Sequence, residues 1–119
     1  MDNCIFCKII NRELPSTTLF ENDEFMAFLP LDQVSKGHTL LIPKKHQVNI
    51  FDIETDSLER LAGIAQKLSK EIVETHGATG VNLLNASGKD AQQSVFHFHL
   101  HIVPRYEKDG LDLWFKNGL

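Results

Sequence analysis

Apolar residues recur at helical spacing in one long segment of the chain. Between Asp56 and about His76 they occupy every third or fourth position, which is typical of an amphipathic helix packed by one face. These positions are Leu58, Leu61, Ala65, Leu68 and Ile72. Asp56 and Glu59 resemble a capping pair at the start of this helix, and Gly77 suits its end. The pattern therefore predicts one long helix.

Shorter apolar segments bounded by turn residues predict strands. The first two form a hairpin, with Leu19 and Phe20 before a turn at Asn22 and Asp23 and residues 25–29 after it. Three further strands are predicted at residues 38–43, 80–85 and 95–104.

Residues 4–11 place their apolar side chains on one helical flank and Pro15 prevents extension, which predicts a short N-terminal helix. Strands joined by short turns, with one long helix between the third and fourth, favour an α+β fold with an antiparallel sheet of about five strands. The length of 119 residues and the apolar content of 42% fit one compact core, so we expect residues 1–119 to form a single domain.

The charge balance limits the classes of partner. The chain carries 12 basic and 16 acidic residues, a net charge of -4, and no basic cluster longer than Lys44 and Lys45. Duplex nucleic acid and anionic membranes are bound largely through positive charge, so we expect neither as a partner. No secretory signal or membrane-spanning apolar run is visible, and a soluble cytoplasmic protein is the expectation. A small phosphorylated ligand is compatible with this charge.

The segment VFHFHLHIV, residues 95–103, places three histidines at alternate positions. On a strand His97, His99 and His101 share one face, and Phe96, Phe98, Leu100 and Ile102 share the other, which we expect to face the core. Side chains on one face lie roughly 6.5–7 Å apart, so the imidazoles can act on different parts of one ligand, or two can converge on a metal. The alternative is a row of surface histidines on an exposed sheet.

The two cysteines, Cys4 and Cys7, form a C-x-x-C pair. In a reducing compartment this spacing indicates half of a metal site or a redox pair rather than a structural disulfide. Zinc needs two further ligands, for which His46 and one histidine of the row are candidates. A pair of free, partly buried thiols is the alternative.

These segments together resemble the histidine triad (HIT) superfamily. HFHLHIV at residues 97–103 matches its signature, His-x-His-x-His followed by two apolar residues. CIFCKIINRELPS, LLIPKKH and QSVFHFHLHIVPR are similar to the Hint branch, and specifically to its zinc-binding bacterial members, over nearly the whole chain.

The resemblance implies a purine nucleotide-binding hydrolase or transferase that cleaves nucleoside 5'-phosphoramidates or related nucleotidyl compounds. His99 would attack the α-phosphorus, and water would then release the nucleoside monophosphate from a covalent nucleotidyl-histidine. His101 would contact the phosphate or leaving group, and Ser94 the phosphate. The nearest enzymatic alternative is a dinucleoside polyphosphate hydrolase. Two further alternatives remain. One is a zinc hydrolase with all three histidines of the row on a catalytic metal, and the other is a nucleotide-binding or scaffold protein that is stabilised by zinc and has no turnover.

The resemblance also assigns the metal ligands as Cys4, Cys7, His46 and His97. Four protein ligands leave no open coordination position, so the zinc would be structural. The family further implies a homodimer joined through sheet edges, with the aromatic tail around Trp114 near an interface or a neighbouring site.

A nucleotide site is implied from several segments: Ile5, Phe6, Ile9, Phe28, Leu31, Asp32, Asn85, Gln93, Ser94, His99 and His101. Its apolar members would favour a purine, as an AMP or GMP derivative. Pro30 stands where relatives commonly carry an acidic residue that accepts the ribose hydroxyls, and Asp32 is the nearest replacement. Gln92 stands where many relatives carry glycine.

Overall fold

The computed structural model describes residues 3–116. In chain order the elements are helix α1 (Ile5–Ile10), strands β1 (Thr18–Glu21), β2 (Phe25–Phe28) and β3 (Thr39–Pro43), helix α2 (Thr55–His76), strand β4 (Gly80–Leu84), a single 3-10 turn (Lys89–Ala91) and strand β5 (Leu100–Arg105). The five strands form one antiparallel sheet in the order β1-β2-β3-β5-β4. The predicted α+β fold with an antiparallel sheet is confirmed. Within residues 3–116, neither helix combines the length and the apolar character needed to cross a membrane.

Both faces of the central strands are buried. The face toward α2 carries Phe25, Leu41 and Ile102, which pack against Leu61 and Leu68 of the helix. The opposite face packs under α1; the members of this second cluster are Phe6, Ile9, Met26, Phe28, Leu40 and Ile42. Strands covered on both faces are apolar at successive positions rather than alternating, which is why β2 and β3 are continuous apolar runs.

The start of α2 differs from the prediction. The helix begins at Thr55, and its N-cap residue Glu54 makes no capping hydrogen bond with its side chain. The predicted capping pair of Asp56 and Glu59 is therefore wrong, because Asp56 already lies inside the first turn. Its carboxylate there still complements the positive end of the helix dipole. Gly77 ends the helix in the left-handed conformation, with φ at +70°, as predicted.

The last strand is shorter than predicted. Strand β5 begins at Leu100, and its ladder with β3 ends where Leu100 opposes Leu41. Pro43 has no N–H for a ladder, and its carbonyl oxygen lies 2.7 Å from Nε2 of His97. The N–H of Phe98 instead donates to the carbonyl of Gln47, at 2.6 Å. Residues 95–99 consequently run outside the sheet.

The side-chain alternation nevertheless persists through most of this segment. Phe98 is buried in the cluster under α2, whereas His97 and His99 face Phe6 of α1, with ring centroids 5.7 and 5.2 Å away. Phe96 departs from it: it was expected to face the core, and it is 56% exposed because the chain has left the sheet there.

Candidate active site and metal centre

The histidine row lies in the interior beneath α1. His97 is fully buried and His99 is only 5% exposed, so the interpretation as surface histidines is wrong. Neighbouring imidazoles of the row are close together, since the ring centroids of His99 and His101 are 5.1 Å apart. Burial of several imidazoles is costly when they are charged, and each of them is held by specific partners.

Cys4, Cys7, His46 and His97 converge in one cluster, with one donor atom of each within 4.8 Å of the others. Nδ1 of His97 lies 3.3 Å from Sγ of Cys4 and 3.6 Å from Sγ of Cys7. Nδ1 of His46 lies 3.3 Å from Sγ of Cys7. The short helix α1 brings the two thiols together because Cys4 is its N-cap and Cys7 lies one turn later.

The second ring nitrogen of His97 shows why this cluster suits a metal. A carbonyl oxygen can only accept, so Nε2 must donate to Pro43, and Nδ1 then presents a lone pair to the thiols. Burial lowers the pKa of His97 to about 4, which keeps the ring neutral near pH 7. Burial also raises the pKa of Cys7 to about 11 in the metal-free chain. Two sulfurs and two imidazole nitrogens are a donor set that zinc prefers.

His99 has a hydrogen-bond partner at its ring and another at its backbone carbonyl. Its Nδ1 lies 2.8 Å from the carbonyl oxygen of His97, so Nδ1 carries the hydrogen and Nε2 has the free lone pair. Its own carbonyl accepts from Nδ2 of Asn85, at 2.9 Å. Burial lowers the pKa of His99, which favours the neutral ring. The result is an oriented imidazole with one unprotonated nitrogen.

A further histidine, His38, contacts the end of the row and was not among the predicted site residues. The N–H of Val34 donates to Nδ1 of His38 at 3.2 Å, and Nε2 of His38 lies 2.9 Å from Nδ1 of His101. Because a backbone N–H can only donate, Nδ1 of His38 must be unprotonated and Nε2 must carry the hydrogen. That hydrogen is donated to Nδ1 of His101, and the neutral His101 ring then carries its own hydrogen on Nε2.

The pKa values of this pair support the neutral forms. Burial lowers the pKa of His38. Burial, together with the repulsion that His99 and His38 would exert if they were protonated, lowers the pKa of His101 to about 4. Sequence alone offered one signal for His38, an imidazole between Gly37 and a buried strand. Its pairing with His101 depends on β3 lying beside β5, where Leu40 opposes His101.

The remaining predicted residues occupy different surroundings. Phe6, Ile9 and Phe28 share the cluster under α1, with the rings of Phe6 and Phe28 5.6 Å apart. Ile5 and Ser94 line a cleft of about 410 Å³ together with Cys4 and His46. Phe6 therefore borders His97 and His99, whereas Ile5 and Ser94 lie beside the metal cluster.

Three other predicted residues differ from these in their surroundings. Leu31 and Asp32 are exposed in the loop after β2, and Leu31 is 98% exposed. Gln93 is buried, and its amide is engaged by backbone: Nε2 donates to the carbonyls of Val48 and Val95, at 2.7 and 3.1 Å, and Oε1 accepts from the N–H of Gly88. The Gln93 amide thus shapes the loop that precedes Ser94.

Gln92 adopts the left-handed conformation, with φ at +71°. A residue with a side chain is strained at such φ values, which explains why glycine would suit this position.

The comparison with known proteins defines the class. The HIT domain family matches residues 11–108, and the chain belongs to this family. It is 43% identical to Protein hit of Bacillus subtilis over 107 residues, which cover 90% of this chain and 74% of that protein. It is 36% identical to the adenylylsulfatase HINT3 of Arabidopsis thaliana over 110 residues, 92% of this chain but 56% of the plant protein. A solved structure of a Zn-bound histidine triad family protein from Mycobacterium smegmatis superposes with a TM-score of 0.89 at 34% identity, covering 94% of this chain and 81% of the other.

Proposed function

We propose that this protein is a purine nucleotide-binding hydrolase that cleaves nucleoside 5'-phosphoramidates or related nucleotidyl compounds. The observation that carries the proposal is the state of His99, a buried neutral ring with Nδ1 on a backbone carbonyl and Nε2 unprotonated. An imidazole in this state is a nucleophile near pH 7. The Arabidopsis relative is named an adenylylsulfatase, which supports cleavage of a nucleotidyl bond as the type of reaction.

In the first step Nε2 of His99 attacks the α-phosphorus and the bond from phosphorus to the leaving amine breaks. The leaving nitrogen takes a proton from water. The His99 ring becomes positively charged as its nitrogen is phosphorylated, and the carbonyl of His97 stabilises the Nδ1–H that remains. The neighbouring Nε2–H of His101 donates a hydrogen bond to a phosphate oxygen or to the leaving atom.

In the second step water attacks phosphorus, the bond to His99 breaks, and its electron pair returns to Nε2. The proton that this water loses neutralises the hydroxide left when the amine was protonated in the first step. The sum of the two steps adds one water across the bond to phosphorus, giving a free amine and a nucleoside monophosphate. Splitting the displacement in this way replaces one difficult step by two easier ones. Ser94 would donate its hydroxyl to the phosphate, as the resemblance to the family implies.

Zinc in the cysteine–histidine cluster would be structural in this proposal. Four protein donors fill a tetrahedral site, so the ion would supply a cross-link between α1 and the segment that carries His99. The mycobacterial relative, which is Zn-bound, supports zinc as the metal. A catalytic zinc on all three histidines of the row is disfavoured, because His97 directs Nδ1 to the thiols while His101 directs Nδ1 to His38.

The base would lie against Phe6, Ile9 and Phe28, because an apolar wall favours the larger stacking surface of a purine. A homodimer through a sheet edge is also part of the proposal. Strand β4 is an edge strand of the sheet and exposes Leu83, which is 48% exposed. Unpaired backbone groups and an apolar side chain on an edge favour pairing with a second copy.

Turnover of adenosine and guanosine phosphoramidates beside a diadenosine polyphosphate tests the proposal. We expect the phosphoramidates to be hydrolysed by the wild type and not by His99→Ala. Mass spectrometry of the quenched reaction should detect a nucleotidyl adduct on the wild type and on a slower His101→Ala variant, which keeps the nucleophile. Turnover that survives His99→Ala would refute the covalent route. Preference for the diadenosine compound would favour the polyphosphate hydrolase, and nucleotide binding without any turnover would favour a binding protein.

A further inference from the structure

The tautomer of His38 depends on a backbone group in an exposed loop. Residues 34–37 form the last part of the loop between β2 and β3. Within this segment, the N–H of Val34 donates to Nδ1 of His38. Val34 is 50% exposed, so packing of its own side chain gives this amide little restraint. If the amide moved away, Nδ1 of His38 would be free to carry the hydrogen, and His101 would then lose its fixed partner.

Two hydroxyl groups anchor this loop to β5 and the residue that follows it. The hydroxyl of Ser35 donates to the carbonyl of Pro104 at 2.7 Å. The hydroxyl of Tyr106 donates to the carbonyl of Lys36. Both hydrogen bonds attach the loop to the part of the chain that carries His101. They therefore restrict movement of the loop relative to the His38–His101 pair.

Tyr106 is itself fixed in place by the turn after β5. Its backbone N–H donates to Oδ2 of Asp109 at 3.0 Å, and Arg105 forms an ion pair with the same carboxylate at 2.9 Å. The Tyr106 hydroxyl is therefore presented by a structured turn rather than by a free chain end. A contact built in this way is suited to hold another loop in position.

We propose that Ser35 and Tyr106 are positioning residues, which keep the amide of Val34 on His38 and thereby hold the hydrogen of His101 on Nε2. The kinetic consequence rests on the proposed function, in which Nε2–H of His101 contacts the substrate. The tautomers themselves exist without substrate, so they are measured independently of turnover.

The primary test is 15N NMR of the imidazole nitrogens in the zinc-loaded full chain near neutral pH, without nucleotide. Protonated and unprotonated ring nitrogens have well-separated shifts, so each tautomer is identified directly. In the wild type we expect His38 and His101 each to show an unprotonated Nδ1 and a protonated Nε2. In Tyr106→Phe and Ser35→Ala we expect the ratio of this tautomer to the other to fall about five-fold, as for the loss of one hydrogen bond of ordinary strength.

The same variants are then assayed for phosphoramidate turnover. We expect kcat to fall in proportion to the loss of the active tautomer seen by NMR, by at most about five-fold, with KM nearly unchanged, because the hydrogen bond made in the transition state is available only in that tautomer while substrate binding is retained. Ser35→Thr retains the hydroxyl and should keep the wild-type spectrum and rate. The matched control is Thr79→Val, which removes a hydroxyl that lies 3.3 Å from the carbonyl of Arg105 without touching the loop; it should change neither readout.

Wild-type spectra in both Tyr106→Phe and Ser35→Ala would overturn the proposal, as would a mixture of tautomers in the wild type. Tyr106→Phe removes a single oxygen atom from a partly exposed side chain, so it keeps the test available if Ser35→Ala does not fold. A wild type with the expected tautomers but no turnover would refute the proposed function, while the variant spectra would still decide the role of the two anchors.

Discussion

Replacing Gly37 by alanine should destabilise the protein through two separate effects. Gly37 has a φ of +91°, and a side chain in the left-handed region costs about 1–2 kcal/mol. A Cβ built there would lie 2.8 Å from Cδ2 of His76 and 3.2 Å from Cγ2 of Ile72, both on α2. Overpacking of this kind costs about 1–3 kcal/mol, and alanine recovers about 0.4–1 kcal/mol by restricting the unfolded chain.

The sum is a loss of about 2–4 kcal/mol in the free energy of unfolding, with the lower end expected if the His76 ring rotates away. For a chain of this length each kcal/mol lowers Tm by roughly 4 °C, so thermal unfolding followed by circular dichroism should show a decrease of roughly 8–16 °C. Gly77→Ala is the matched control. Gly77 has a similar φ of +70°, but apart from its chain neighbours no atom of residues 3–116 lies within 4 Å of a Cβ built there, so only the backbone effect applies and about 1 kcal/mol is expected.

A double-mutant cycle separates the clash from the backbone strain. The effect of His76→Ala on the free energy of unfolding should be about 1 kcal/mol more favourable in the Gly37→Ala background than in the wild type. The reason is that His76→Ala removes the ring atoms that the new Cβ meets. Equal destabilisation by Gly37→Ala and Gly77→Ala, together with no coupling to His76, would refute the reasoning. The loop before His38 would then be tolerant of a side chain at this position.

Three further outcomes follow from the site. Combined Cys4→Ser and Cys7→Ser should abolish zinc binding, which we expect at about one ion per chain in the wild type, and elemental analysis that finds zinc in the double variant would exclude these ligands. Gln92→Gly should raise the free energy of unfolding by up to about 1 kcal/mol, because it relieves a left-handed residue at some cost in chain entropy; urea titration showing a clear loss would contradict this. The pKa of His101 is lowered from 6.5 to about 4 in the folded protein, so the unfolded chain binds more protons in this interval and stability should fall as pH falls from 6.5 toward 4. His101→Gln should lose less stability over the same interval, and an equal loss would assign the effect to other groups.

Elements with a strong local pattern were predictable from the sequence. The spacing of Leu61, Ala65 and Leu68 defined α2 because a helix with one buried face needs that repeat. The apolar segment before Pro43 defined β3. The fold class followed from the order of these elements, and the resemblance gave the family, which residues 11–108 confirm.

Features that depend on which strands are neighbours were not predictable in this way. The segment 95–99 has the alternation of a strand, yet it leaves the sheet because the adjacent strand ends at Pro43, far away in the sequence. The role of His38 has the same origin, since its partner His101 is 63 residues away and meets it only through the β3–β5 pairing. A local sequence pattern predicts which side chains of an element face the core, but it does not predict which element lies beside it.

His97 connects three parts of the molecule through different atoms. Its Nδ1 faces the cysteines of α1, its Nε2 donates to β3 at Pro43, and its carbonyl orients the ring of His99. With zinc bound as proposed, the metal and the nucleophile would share His97, so loss of the metal would remove one of the restraints that hold its carbonyl toward His99. A preparation that is only partly loaded with zinc should therefore contain a more active and a less active population. Its activity per mole of protein should rise with the zinc content per mole of protein.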